Sequence, residues 1–163
     1  MRLMLFSLIL TTLVGCTGEH GPAKKIELKK DTSMSSNKEA ATAFLANNAN
    51  EPGVIQTESG LQYKVIESGS GKTPTMSDTV DAHYAGRLID GTEFDSSYSR
   101  GAPLTIPVGG VIKGWTEALL MMKEGDKWVL FIPPELGYGE SGAGGVIPGN
   151  AALVFDIELV NVK

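Results

Sequence analysis

From residue 61 onward, the sequence is organised as short segments in which apolar and polar residues alternate, with turn residues between the segments. Alternation with a period of two places the apolar side chains on one face of a β-strand. Because Asp90-Gly91 is a tight-turn signal that joins two of the segments, we expect antiparallel pairing of the strands. The predicted strands cover residues 61–66, 79–88, 92–95, 127–132 and 152–162.

One segment within this region favours a helix instead. Residues 115–122 contain good helix formers and neither proline nor glycine, and Gly125 follows as a stop signal. With 163 residues and a hydrophobic content of 42%, the chain has room for one core of ordinary composition. The predicted fold is therefore of the α+β class, an antiparallel β-sheet curled around one short α-helix.

Charge and composition argue against two classes of function. Fourteen Lys and Arg residues against nineteen Asp and Glu residues give a net charge of −5, which disfavours binding to nucleic acid phosphates. One cysteine and two histidines cannot supply the ligand clusters that hold structural zinc. We therefore expect neither a nucleic acid partner nor a metal centre.

The first fifteen residues have the features of a bacterial signal peptide. Arg2 precedes an apolar run over residues 3–10, which is shorter than the roughly 20 residues that a spanning helix needs. The following residues, Leu13-Val14-Gly15-Cys16, resemble the lipobox at which bacterial lipoproteins are cleaved and then acylated on the cysteine. The alternative is an ordinary signal peptide whose cleavage site happens to carry a cysteine.

The resemblance to lipoproteins implies that lipid on Cys16 anchors the mature protein to a membrane. Thr17, rather than aspartate, follows the cysteine, and in lipoproteins of enteric-type Gram-negative bacteria this implies the outer membrane. We expect the folded domain to face the periplasm, with the cell surface as the alternative orientation.

Residues 16–50 connect the predicted signal peptide, residues 1–15, to the predicted folded domain, residues 51–163. Residues 17–35 mix Gly, Pro, Lys, Glu and Ser with little apolar content, which predicts a flexible tether. Ser36-Asn37-Lys38-Glu39 then matches a capping box, and good helix formers continue to residue 46. A short helix is therefore predicted between the tether and the domain.

Two glycine-rich stretches match nucleotide-binding patterns without their context. Gly71-Lys72-Thr73 resembles the end of a phosphate-binding loop, but Ile66 stands where the first glycine must lie. Residues 137–142 match a dinucleotide fingerprint, but a proline pair precedes them where a strand is required. We interpret the first stretch as a turn and the second as a long loop whose glycines adopt positive φ.

Five further motifs, in order and at matching spacing, resemble FKBP-type peptidyl-prolyl cis/trans isomerases over residues 52–163. The lead-in over residues 53–63 is similar especially to the bacterial branch that includes the macrophage infectivity potentiators. The five motifs are His83-Tyr84-Ala85-Gly86, Phe94-Asp95-Ser96-Ser97, Gly110-Val111-Ile112-Lys113-Gly114-Trp115, Pro133-Pro134-Glu135-Leu136-Gly137-Tyr138-Gly139 and the stretch from Ile147-Pro148 through Leu153-Val154-Phe155-Asp156.

The resemblance implies a proline-binding pocket with the Trp115 indole as its floor. In family members the backbone N–H at the Ile112 position and the hydroxyl at the Tyr138 position bond carbonyls of the bound chain. Asp95 contacts the substrate from the rim, and Arg100 orients Asp95 or Tyr84. The candidate catalytic residues are Tyr84, Phe94, Asp95, Val111, Ile112, Trp115, Tyr138 and Phe155. The candidate substrate-binding residues are Arg100, Leu104 and Ile147.

The reaction that the resemblance implies needs neither a cofactor nor a general base. Isomerising an X-Pro bond breaks amide resonance without making or cutting a bond. The twisted amide has lost the charge separation of its resonance form, so an apolar pocket penalises it less than the planar ground state. An aromatic site without a nucleophile–base pair is therefore consistent with catalysis.

The predicted activity is isomerisation of X-Pro bonds during the folding of exported proteins. The implied partners are proline-containing polypeptides and macrolide inhibitors such as rapamycin. The alternative function is a non-catalytic binding module or holdase chaperone that uses the same pocket to retain unfolded chains. Leu104 stands where the best-known human family members have an aromatic wall residue, which alters one side of the pocket.

Overall fold

The computed structural model describes residues 23–163, with side chains from Ser33 onward. Two helices and seven strands occur within these residues. Their bounds are α1 (Ala23–Asn48), β1 (Val54–Gln56), β2 (Gln62–Glu67), β3 (Thr79–Leu88), β4 (Glu93–Ser96), β5 (Leu104–Pro107), α2 (Lys113–Met121), β6 (Lys127–Ile132) and β7 (Leu153–Val162). Neither helix of this described part is long and apolar enough to cross a bilayer.

The strands form one antiparallel sheet in the order β1-β2-β6-β7-β3-β4, with β5 pairing to β3. The long strand β3 pairs with β5 through residues 79–82 and with β4 through residues 85–87. The predicted antiparallel sheet and its five strands are thereby confirmed. The strands β1 and β5 were not predicted, because three or four residues are too few to show an alternating pattern. The strand β4 is equally short and was predicted only through the Asp90-Gly91 turn before it.

The core lies between the concave face of the sheet and α2. Alternate residues of β6 and β7 point inward, and Leu130, Ile132 and Leu153 are fully buried. Full burial of such a side chain stabilises the fold by about 1.5–3 kcal/mol. The helix lies close to β6, because a Cβ on Gly114 would be only 2.7 Å from Cγ2 of Ile132. This close approach fixes the position of α2, which carries the floor of the site described below.

Helix α1 is longer than the sequence predicts. It begins at Ala23 rather than at the capping box, so it occupies much of the segment that we expected to be a tether. The physical reason is composition, because residues 23–48 contain neither proline nor glycine and include five lysine and five alanine residues. Ser35 Oγ, within the helix, donates to Glu39 Oε1 at 3.2 Å. The predictions for residues 1–22, including Cys16, lie outside the described residues.

The C-terminal half of α1 docks on the convex face of the sheet. The Phe44 ring lies 6.1 Å from the ring of Phe131, a residue that points away from the core. Asn48 Nδ2 donates to Gln62 Oε1 at 2.8 Å, and Gln62 Nε2 donates to the carbonyl of Leu45 at 2.9 Å. Asn48 and Gln62 are both buried, so these hydrogen bonds are needed to satisfy them. The C-terminal half of α1 is therefore part of the folded domain.

Candidate active site

A cleft of about 410 Å³ opens between the concave face of the sheet and the N-terminal end of α2. Its size is within the range of ordinary ligand sites. All eight candidate catalytic residues lie in its lining, although they come from five separate parts of the chain. The lining residues are Tyr84, Phe94, Asp95, Leu104, Ile106, Gly110, Val111, Ile112, Trp115, Tyr138 and Phe155.

The floor of the cleft is the indole of Trp115, which is 4% exposed and lies in the first turn of α2. Its ring meets the Tyr84 ring edge-on with centroids 5.2 Å apart, and it meets the Phe155 ring in the same way at 5.3 Å. Edge-to-face contacts at these distances are favourable for aromatic pairs. The Tyr84 and Phe155 rings therefore hold the Trp115 indole on two sides, and the indole cannot rotate without displacing both rings.

Residue 86, two positions after Tyr84 on β3, has no room for a side chain. The Phe94 and Phe155 rings meet edge-on above it with centroids 5.5 Å apart. A Cβ on Gly86 would lie 2.6 Å from Cε1 of Phe155 and 2.7 Å from Cε2 of Phe94. Only glycine leaves room for the two rings, because ordinary contacts between carbon atoms are about 3.5–4.0 Å.

The polar side of the cleft is a closed triangle of three side chains. The Tyr84 hydroxyl donates to Asp95 Oδ2 at 2.5 Å. Arg100 Nη1 donates to Asp95 Oδ1 at 2.5 Å, and Arg100 Nη2 donates to the Tyr84 hydroxyl at 2.6 Å. The guanidinium also lies 5.5 Å from the centre of the Tyr84 ring. Arg100 thus contacts both Asp95 and Tyr84, the two residues that the resemblance gave as alternatives. Arg100 itself does not line the cleft.

The triangle fixes the charge states at the cleft edge. Burial alone would raise the pKa of Asp95, but the hydrogen bond from Tyr84 and the Arg100 guanidinium outweigh it and lower that pKa. Burial and the hydrogen bond to Asp95 raise the pKa of the Tyr84 hydroxyl. At neutral pH the site therefore holds an ionised Asp95 and a protonated Tyr84. The hydroxyl of Tyr84 is directed at Asp95 and is not free for a ligand.

Ser97 supports the cleft wall from behind. Its hydroxyl is fully buried, accepts the backbone N–H of Tyr84 at 2.8 Å and lies 3.2 Å from the carbonyl of the same residue. His83 Nδ1 lies 3.0 Å from the same hydroxyl, and its ring stacks on Tyr98 with centroids 4.8 Å apart. His83 points away from the cleft, as expected for a structural residue on the other face of β3.

Two residues of the lining were not predicted from the sequence, and two predicted residues, Arg100 and Ile147, lie outside the lining. Ile106 and Gly110 line the cleft, and Ile106 could have been found because it shares a strand face with Leu104. Ile147 is 7% exposed and packs in the core, where its N–H bonds the carbonyl of Ala143 at 2.9 Å. Its position supports the loop that follows Tyr138 rather than the cleft surface.

Two hydrogen-bond donors border the cleft. Tyr138 is 39% exposed and lines the mouth. Ile112 precedes the first turn of α2, and its carbonyl accepts the N–H of Trp115 at 3.0 Å. Within residues 23–163, the Ile112 N–H itself has no backbone acceptor. The same residues contain no group of three or more His, Cys, Asp and Glu side chains placed to hold a metal. The cleft thus offers aromatic surface, two donors and one fixed carboxylate.

An antiparallel sheet curled around one helix, with an aromatic cleft between them, defines the class of FKBP-fold proteins. Comparison with protein families agrees: the family described as FKBP-type peptidyl-prolyl cis-trans isomerase matches residues 70–160. The domain described as amino terminal to FKBP-type peptidyl-prolyl isomerase matches residues 15–65. The chain belongs to the FKBP-type peptidyl-prolyl cis-trans isomerase family.

Individual relatives place it near the macrophage infectivity potentiator branch. Peptidyl-prolyl cis-trans isomerase Mip of Coxiella burnetii is 54% identical over 127 residues, which are 78% of this chain and 55% of that protein. Outer membrane protein MIP of Legionella longbeachae is 49% identical over 127 residues, covering 78% and 54%. The crystal structure of FkpA from Escherichia coli superposes with a TM-score of 0.82 at 45% identity, covering 86% and 66%. The chain spans about half the length of the curated relatives it matches.

Proposed function

We propose that this protein catalyses cis/trans isomerisation of X-Pro bonds in the cleft above Trp115. The observation that carries the proposal is a rigid aromatic box, Trp115 with Tyr84 and Phe155 at 5.2 and 5.3 Å, bordered by donors for a peptide. A proline ring is a compact apolar group that suits such a box, and its flanking carbonyls can reach the Ile112 N–H and the Tyr138 hydroxyl. The residues that line the cleft include no Ser, Thr, Cys, Lys or His side chain, and this reaction uses neither a nucleophile nor a general base.

The rate enhancement would come from preferential binding of the twisted amide. Rotation about the peptide bond costs about 18–20 kcal/mol, because it breaks the resonance that makes the bond planar. The twisted bond has less charge separation, so removal from water costs it less than it costs the planar form. Each ~1.4 kcal/mol of this difference accelerates the reaction tenfold. Donors at the cleft edge would hold the flanking carbonyls while the bond turns.

The triangle of Tyr84, Asp95 and Arg100 would orient the bound chain. Asp95 is ionised and its side chain is 45% exposed, so it presents a fixed negative charge at the edge of an apolar cleft. A substrate carbonyl oxygen is disfavoured next to that charge, which selects orientations that point the carbonyl toward the donors. We therefore assign Asp95 to substrate orientation and Arg100 to keeping Asp95 ionised and in place.

The test is acceleration of isomerisation of short X-Pro peptides by a soluble form comprising residues 17–163. We expect faster isomerisation that rapamycin inhibits, since both ligands would occupy the cleft. The matched variant is Trp115→Ala, which removes the floor, and its folding is checked by circular dichroism. A folded wild-type protein that binds unfolded polypeptide without accelerating isomerisation would establish the holdase alternative instead.

The proposal extends to where the protein acts. We propose that residues 1–15 are removed on export and that lipid on Cys16 holds residues 51–163 at the outer membrane, facing the periplasm. The name of the Legionella relative, outer membrane protein MIP, supports a membrane location. The clients would then be exported polypeptides that fold near the membrane. Cys16→Ser is expected to move the protein from the membrane fraction to the soluble fraction, and continued membrane association would refute the lipid anchor.

A further inference from the structure

Helix α1 is hydrogen-bonded to the loop of residues 139–150, which follows Tyr138 at the edge of the cleft. Asn37 Nδ2 donates to the carbonyl of Gly149 at 3.0 Å. One helical turn earlier, the carbonyl of Met34 accepts a hydrogen bond from Asn150 Nδ2 at 3.3 Å. Each side thus contributes one asparagine amide and one carbonyl, and residues three apart in a helix lie on the same face. The contact is reciprocal and joins residues more than a hundred positions apart in the chain.

Gly149 and Asn150 also contact the start of the same loop. The backbone N–H of Asn150 donates to the carbonyl of Gly139 at 2.8 Å. A Cβ on Gly149 would collide with the carbonyl oxygen of Glu140, so the two chain segments are in direct backbone contact. Tyr138, which lines the mouth of the cleft, immediately precedes these residues. A displacement of residues 149–150 would therefore move the backbone that carries Tyr138.

Asn150 has a backbone conformation that is unusual for a residue other than glycine. Its φ is 59°, and within residues 23–163 it is the only non-glycine residue with positive φ. Asparagine tolerates the left-handed region better than most residues, but the conformation still needs support from its surroundings. Asn150 is 9% exposed, and its hydrogen bonds to Gly139 and Met34 supply that support.

Apolar packing alone does not fasten α1 to this loop. A cavity of about 120 Å³ remains between the helix, the β3–β4 turn and the loop, next to Asn37, Ala40 and Pro148. The helix and the loop make no apolar contact across this pocket, which is partly open to solvent. The two asparagine hydrogen bonds therefore contribute to the alignment of the helix and the loop.

We propose that Asn37 and Asn150 are positioning residues that couple the docking of α1 to the position of Tyr138 in the cleft. This inference rests on the proposed isomerase function, because it assigns α1 a part in the activity. Tyr138 is half-exposed, so packing around its ring does not hold it, and its backbone must be fixed from behind. The helix supplies that fixation through residues 149–150.

The experiment compares Asn37→Ala and Asn150→Gly in the soluble form, residues 17–163. Asn150→Gly deletes the amide but keeps a residue that adopts positive φ freely. The matched control is Asn47→Ala, an exposed asparagine of the same helix. Loss of one neutral hydrogen bond corresponds to about a fivefold effect, so we expect kcat/KM to fall about fivefold in each variant and to be unchanged in the control.

A double-mutant cycle separates positioning from a general structural effect. If Asn37 acts through the hydroxyl of Tyr138, then Asn37→Ala will lower kcat/KM in the wild-type background but not in the Tyr138→Phe background. Equal losses in the two backgrounds would overturn the proposed coupling. Thermal unfolding of each variant checks that the protein remains folded, and Asn37→Ala alone is sufficient if Asn150→Gly does not fold.

Hydrogen exchange provides a readout that does not need activity. We expect backbone amides of residues 138–150 to exchange faster in Asn37→Ala than in Asn47→Ala, because the loop opens more often. Unchanged exchange would show that the hydrogen bonds from α1 do not hold the loop. Faster exchange with unchanged kcat/KM would show that holding the loop has no role in the reaction. If the wild-type protein lacks isomerase activity, the proposed function fails, and the exchange measurement still decides whether α1 holds the loop.

Discussion

Gly86→Ala is expected to displace the aromatic walls without removing any side chain of the cleft. The new Cβ would lie 2.6 Å from Phe155 and 2.7 Å from Phe94. To restore a contact of about 3.5 Å, the rings must retreat by roughly 0.9 Å. Overpacking of this kind costs about 1–3 kcal/mol of folding stability. In a domain of about this size, each kcal/mol lowers Tm by about 2–4 °C.

The same displacement reaches the floor of the cleft, because Phe155 also contacts Trp115 edge-on at 5.3 Å. A misplacement near 1 Å in a catalytic site can cost about 100-fold, so we expect kcat/KM to fall at least about tenfold. The assay is peptide isomerisation together with thermal unfolding. The matched control is Gly109→Ala, whose Cβ would lie at an ordinary 3.4 Å from Met76 Sδ and should change neither quantity.

The steric argument is refuted if Gly86→Ala retains both the wild-type Tm and the wild-type kcat/KM. That result would mean that the rings have room to move without loss of the cleft. A lower Tm with normal kcat/KM would instead show that the strain is relieved away from the floor.

Three further substitutions test the floor, the polar triangle and the docked helix. Trp115→Ala removes a side chain that is 4% exposed, so it is expected to cost about 3–5 kcal/mol of stability and most of the activity, measured by urea unfolding and peptide isomerisation. The pKa of Asp95 is lowered in the folded protein, so its contribution to stability is present above the ordinary aspartate pKa and is lost as the pH falls through the folded value. Arg100→Ala should raise the pKa of Asp95, as followed by carboxyl-carbon NMR, and an unchanged pKa would contradict the assigned cause. Asn48→Ala leaves the buried amide oxygen of Gln62 without that donor and should cost about 1–3 kcal/mol, whereas Asn47→Ala should cost little.

The residue pattern predicted the larger strands and the concentration of site residues in five motifs. Strands such as Lys127–Ile132 and Leu153–Val162 are long enough for their alternation to be recognised. Ile106 was missed because β5 has only four residues and no tight-turn signal like Asp90-Gly91 joins it to a recognised strand. Gly110 was missed because a glycine contributes backbone rather than a recognisable side chain. The roles of Arg100 and Ser97 could be assigned only from interatomic distances in the structure, because neither residue type indicates which neighbour it binds.

The sequence by itself determined the alternation of the longer strands and the helix that carries Trp115, because each of these depends on neighbours within a few positions. The candidate cleft residues followed from the resemblance of five motifs to a known family, which gave neither Ile106 nor Gly110 as a lining residue. Only the tertiary structure decided that α1 docks on the sheet and reaches Gly149 through Asn37. That last contact joins residues 112 positions apart, and local propensity contains no information on such a pairing. It exists because the folded sheet brings the loop beside the helix, where polar groups of the two segments hydrogen-bond to each other.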